Sequence, residues 1–234
     1  MTTSSFLIDI HTHVPADNAS GTFVKKYLVE DSNTRLVMTR EISKGLHPWE
    51  ISSSIEENKL KFLEIEKQLK TKGFFAVGET GFDRYFRKEL DLKIQEEVFF
   101  WHYELAVELG LPLIVHIVHA HDQFLKVLKK IKNPKVSFLI HDFRGGSEEI
   151  KKYLKYENLN FSFGKSLFST DGKSLERFLL LPLDRVHLET DGDPNVQILD
   201  VYQKAKVKTN NDLKMLISCM EDNAYHLLGE NFHQ

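Results

Sequence analysis

Six side chains in this 234-residue sequence have the chemistry of metal ligands: His11, His13, Glu79, His116, His141 and Asp191. His11 and His13 stand two apart in an extended segment, so both imidazoles project to one side and can grip one cation. Imidazole plus carboxylate, with no thiolate, suits divalent ions drawn from Zn, Mn, Mg, Fe or Co. A carboxylate such as Glu79 can bridge two cations. One would then take His11, His13 and Asp191, and the other His116 and His141. Two metals about 3.5–4 Å apart activate water and clamp the attacking and leaving oxygens of a displacement. Asp191 can take the proton from that water, which makes Asp191 and Glu79 the candidate catalytic residues.

Each residue alone has a plainer reading. A single His-x-His on a strand is often structural, Glu79 after Gly78 could be a surface carboxylate at a strand end, and His116 and His141 could be core histidines bonded to backbone. Their shared position at strand ends argues for the site. Short apolar runs at 6–10, 35–39, 45–47, 74–79, 113–117, 136–141, 159–163 and 186–191 read as parallel strands buried on both faces. Helical patterns separate most of them. Ser53 and Glu56 have capping-box spacing ahead of a helix to about Lys70, and Asp91 caps another that stops at Gly110. Ser147 caps a third, and an amphipathic helix from Leu213 stops at Gly229. Eight strands with interleaved helices predict a TIM (β/α)8 barrel, with residues 1–234 forming one domain. In that fold the C-terminal strand ends meet on one rim, and there the six ligands converge.

Composition agrees with a globular enzyme. Hydrophobic residues make up 41% and charged residues 28%, which excludes a mostly disordered chain. A net charge of −3 argues against non-specific coating of nucleic acid, which is driven by phosphate neutralisation. The lone Cys219 cannot form an internal disulfide, residues 1–10 do not have the pattern of a signal peptide, and no apolar stretch is long enough to span a bilayer. A cytoplasmic protein with no membrane partner is expected.

The segments IDIHTH (8–13), GLHPW (45–49), AVGETGFD (76–83), LPLIVH (111–116), HDFRG (141–145) and LETD (188–191) occur in order along the chain. In these the sequence resembles the TatD-like DNase family, in a compact branch. The resemblance implies a TIM barrel, two divalent metals held by the same six residues, and hydrolysis of phosphodiester bonds in DNA, with single strands or ends as the substrate. His47 falls at a position that implies a substrate or phosphate contact. Three features depart from the family pattern: Val118 stands where an arginine is common, Arg144 where a small residue is common, and the segment after Asp191 is short.

The loops after the strands carry Arg40, Arg84, Arg87, Arg144 and Lys165. Of these, Arg84, Arg144 and Lys165 are the candidate substrate contacts beside His47, and Arg144 can serve as a phosphate fork in place of the missing arginine. Trp49, Phe82, Tyr85, Phe86, Phe143 and Phe168 share these loops and are candidates for stacking splayed bases. Two other readings compete with a nuclease. The same metals could polarise an amide, ester or lactone carbonyl, or the chain could hold metal without catalysing anything.

Overall fold

The computed structural model describes residues 7–13, 24–30, 42–71 and 73–229. Eight parallel strands follow one another around a single sheet in chain order: β1 (Leu7–Thr12), β2 (Val24–Glu30), β3 (Ile42–Lys44), β4 (Ala76–Asp83), β5 (Leu113–Val118), β6 (Phe138–Ile140), β7 (Leu159–Phe163) and β8 (Val186–Leu188). The Asp191 amide donates to the His11 carbonyl at 3.1 Å, joining the exit of β8 to β1. This is the TIM barrel the alternation predicts.

Helices α1 (Ile55–Thr71), α2 (Leu92–Leu109), α3 (His121–Ile131), α4 (Ser147–Tyr153), α5 (Lys173–Leu180), α6 (Ile198–Ala205) and α7 (Leu213–Leu228) lie between or after the strands. Their apolar sides meet the strands in a core rich in aromatic rings, among them Phe99, Phe124, Phe138 and Tyr153. Among the described residues no helix is long and apolar enough to cross a membrane.

The structure moves several expected boundaries. The segment 35–39 lies outside the described residues, and β2 falls instead at Val24–Glu30. That strand reads VKKYLVE, and its lysines hide it from a search for continuous apolar runs. β3 ends at Lys44, so Gly45–His47 is the connection beyond it rather than the strand. β4 continues four residues past Glu79, which therefore lies within the strand and not at its end. Ser54, not Ser53, caps α1 by accepting from the Glu57 amide at 3.2 Å. Gly146 is the cap of α4, with Glu149 reaching back to its amide at 3.0 Å. Asp91 and Gly110 bound α2 as expected, the glycine at φ 66°.

Candidate metal centre and active site

β4 passes close to β5 around Glu79, and glycine makes that approach possible. Gly78 and Gly81 have φ of 120° and 148°, and a Cβ at Gly81 would lie 2.0 Å from the His116 carbonyl oxygen. Glu79 is thereby held inward, 4% exposed, beneath a ring of imidazoles.

Its two oxygens divide the site. Oε1 lies 3.2 Å from His11 Nε2 and 3.2 Å from His13 Nε2, and Asp191 Oδ1 stands 3.3 and 3.5 Å from the same two nitrogens. Oε2 lies 2.8 Å from His141 Nε2, 3.5 Å from His47 Nε2 and 3.6 Å from His116 Nδ1. Four ligands about 2.1 Å from a central cation at tetrahedral angles are about 3.4 Å apart, so these spacings suit cations between the groups. Nδ1 of His11 and Nδ1 of His141 are buried without a hydrogen-bond partner among the described residues. Orphaned polar atoms of this kind, around a shared carboxylate, fit a bound cation. All six residues proposed from sequence thus meet in one place.

Hydrogen bonds decide which nitrogen each ring presents. His116 Nε2 lies 3.2 Å from Asp83 Oδ2, so Nε2–H donates there and the Nδ1 lone pair faces Glu79 and His141. His47 is the reverse case. Its Nδ1 accepts from the Trp49 amide at 3.2 Å, which places the proton of the neutral ring on Nε2. His47 therefore points a donor, not a lone pair, at the cluster.

The charge balance follows from the same contacts. Burial pulls His11, His13 and His116 down, but carboxylates outweigh it. His11 is held well above its ordinary value by Glu79 and Asp191, His13 rises to about 9 beside Asp191 and Glu79, and His116 to about 9 beside Asp83 and Glu79. Burial alone would raise Glu79 and Asp191, but the imidazoles drive both well below the carboxylate range. His141 moves down because burial prevails. With no cation bound, protons take the place of the positive charge that the carboxylates demand.

Several supporting residues had no role assigned from sequence. Asp83 accepts from the Trp49 indole at 2.8 Å and from the Tyr85 and Phe86 amides, while Gln95 bonds its backbone at both N–H and C=O. Asp9 accepts from the Thr190 amide at 2.9 Å and hydroxyl at 2.7 Å, fixing the residue before Asp191. Asp191 itself has φ 51°, an uncommon conformation for a non-glycine residue and one that recurs at functional sites. Glu189 is fully buried beneath His141, accepts from the Ser162 hydroxyl and the Asp142 amide, and is pushed up to about 8 by burial. His102 accepts from the Leu46 amide at 2.9 Å and so anchors the segment that carries His47. These partners are distant in sequence, and only the carboxylates inside the quoted motifs carried any signal.

The rim cations are paired. Arg84 forks onto Asp122, Arg144 onto Asp142, Lys165 reaches Asp193 and Arg87 reaches Glu89. Arg40 lies outside the described residues. Arg144, Lys165 and Arg177 line a pocket of about 430 Å³ together with Ser166, Phe168 and Ser174. Arg177, on α5, was not foreseen. Phe82 and Phe143 are fully buried core rings and cannot stack on a ligand, a correction to the sequence expectation. Trp49, Tyr85, Phe86 and Phe168 are exposed.

Comparison with known proteins places the fold and the site in context. The family described as TatD related DNase matches residues 16–221, a span that begins just past His13. An uncharacterized metal-dependent hydrolase of Buchnera aphidicola is 29% identical over 218 residues, 80% of each chain. The human 3'-5' RNA nuclease TATDN2 is 32% identical over 152 residues, 63% of this chain and 19% of its own length. The chain spans only about half the length of several other curated relatives it matches. Among solved structures, the TatD homologue YJJV of Escherichia coli K12 superposes with a TM-score of 0.73 at 20% identity, covering 95% of this chain and 97% of its own.

Proposed function

The chain belongs to the TatD related DNase family, and on that premise we propose that it is a metal-dependent hydrolase that cleaves phosphodiester bonds of DNA, acting on single strands or ends. The observation that carries the reading is the division of Glu79, with one oxygen facing His11, His13 and Asp191 and the other facing His116 and His141. In this reading Glu79 would be a ligand to two divalent cations, with His11, His13 and Asp191 on one side and His116 and His141 on the other, and residues 1–234 form one such domain. Four imidazoles favour Zn, Mn, Fe or Co over Mg, which prefers oxygen ligands. When bound, the cations supply Lewis acidity at the phosphoryl oxygens and make water a nucleophile near neutral pH.

The chain's own groups do the rest. Asp191, with a side chain 43% exposed against 28% for His13, is the ligand most open to solvent, and it accepts the proton of the attacking water. His47 Nε2–H donates to a phosphoryl oxygen, a role its backbone-fixed tautomer suits. Arg144 and Lys165 exchange their carboxylate partners for substrate phosphates along the pocket. Arg84 is more tightly engaged, with both terminal nitrogens on Asp122, and it braces the loop after β4. The single cysteine suits a reducing compartment, and we place the enzyme in the cytoplasm.

Purified protein supplied with Mn, Zn or Mg is expected to degrade a single-stranded oligodeoxynucleotide, and Glu79→Gln to reduce this to background with loss of bound metal. Parallel assays on RNA, duplex DNA and acyl esters, amides and lactones test the substrate class. Turnover confined to the acyl substrates, or tight metal binding without turnover of any, would overturn the proposal. Cleavage that survives both chelation and Glu79→Gln would mark a contaminant and do the same.

A further inference from the structure

Among the described residues, the other large exposed apolar side chains are mostly aliphatic residues on helices, such as Leu60, Leu179 and Leu199, with Phe168 and Tyr225 as separate exposed rings. Three exposed rings lie together beside the metal cluster. Trp49, Phe86 and Tyr85 are 48, 57 and 72% exposed, although each is large and apolar enough to be drawn inside. Trp49 and Phe86 lie with ring centroids 4.5 Å apart and planes tilted by 30°.

Trp49 is also held rigidly. Its indole N–H donates to Asp83 at 2.8 Å, its amide to His47 at 3.2 Å, and its carbonyl accepts from Arg87 at 2.7 Å. Its ring stands 4.9 Å from His47 and 6.1 Å from His116, within one nucleotide's reach of the cluster. An aromatic ring fixed before the ligand arrives loses little entropy on binding. Arg144, Lys165 and Arg177 line a pocket on another flank together with Asp171 and Phe168. On the β3–β4 side the neighbouring cations, Arg84 and Arg87, are held by Asp122 and Glu89.

We propose that Trp49 and Phe86 form a stacking subsite for an unpaired nucleobase of the substrate strand, next to the scissile phosphodiester. This rests on the nuclease reading above and adds the group that makes an unpaired strand the better substrate. A base inside a duplex has both faces covered by its neighbours and cannot lie on the platform without leaving the stack. Phe86 is the decisive residue, because the Trp49 side chain hydrogen-bonds Asp83 and through it supports His116, whereas the Phe86 side chain makes no hydrogen bond to that network and only its ring rests against Trp49.

The sequence has two tryptophans, and Trp101 lies on α2 against Phe62 and Lys59. In a Trp101→Phe background, Trp49 becomes the only indole reporter. A single-stranded hexadeoxynucleotide added to the metal-free protein is expected to quench its fluorescence saturably, whereas an abasic hexamer and a blunt duplex do so at least about tenfold more weakly. With metal present, Phe86→Ala is expected to lower the preference for the ordinary over the abasic strand about tenfold, chiefly through KM, and Phe86→Tyr to restore it. Equal affinity for ordinary and abasic strands, or a preference untouched by Phe86→Ala, would overturn the subsite while leaving the nuclease reading in place. Failure to cleave either strand with any metal would instead bring down the nuclease reading, and the fluorescence titration would still decide whether bases stack on Trp49.

Discussion

Imidazoles on the rim and those elsewhere in the core all lose hydration on burial, yet they respond in opposite ways. His102 and His187 are almost fully enclosed, and burial lowers them to about 4 and about 3. His121, packed beside Phe143 and Tyr153, also falls to about 4. On the rim, His11, His13 and His116 rise, because Glu79, Asp191 and Asp83 overcome the desolvation. Only His141 follows the core pattern. The difference teaches that burial does not make a metal site. A site is marked by carboxylates that demand positive charge where no lysine or arginine supplies it.

The sharpest way to break this contrast is to remove a rim carboxylate. Asp191→Asn is expected to lower kcat on a single-stranded oligonucleotide about 10²- to 10⁴-fold, the usual range for a lost proton acceptor. Metal analysis of the variant should show weakened binding on the His11–His13 side and retention beside His141. Asp83→Asn acts one step further out, on the tautomer of His116, and is expected to cost about 10- to 100-fold in metal affinity. Calorimetric titration checks that loss, and an affinity matching the wild type would remove Asp83 from the support of the site.

Proton competition gives a pH law for the same region. His13 and His116 hold protons up to about 9 in the metal-free protein and must release them to bind a cation. Metal affinity should therefore rise with pH up to about 9, with proton release visible when the titration is repeated in buffers of different ionisation enthalpy.

Smallest in effect on activity is the contrast in stability. His102 has a folded value of about 4 against an unfolded value near 6.5, so its contribution is complete above pH 6.5 and is lost as pH falls toward 4. The loss amounts to about 3 kcal/mol from this residue. His116 obeys the opposite sign: its contribution is present below about 6.5 and disappears as pH rises through 9. Denaturant unfolding of metal-free wild type and His102→Gln between pH 7 and 4 should show the acid loss shrinking in the variant. Parallel curves would show that His102 does not titrate as its surroundings dictate.

Much of this was legible from local pattern. The alternation of apolar runs and helices predicts the barrel, and six ligand-type residues near strand ends predict the cluster. Boundaries were less legible where a strand is polar, as in β2, or where glycines let β4 continue past Glu79. The expected open cations on the rim met carboxylates in the fold, and two expected stacking rings, Phe82 and Phe143, were drawn into the core.

The sequence by itself determined the alternation of strands and helices and the six ligand-type residues that the barrel gathers, because both depend on residue type and short-range periodicity. Tertiary structure alone decided how Glu79 divides its oxygens, which nitrogen His116 presents, and which aromatics stay exposed. Those outcomes depend on partners far apart in the chain, such as His116 with Asp83 and Thr190 with Asp9, 33 and 181 residues away. A residue's type limits what it can bond, but only the closed barrel brings the partner within reach.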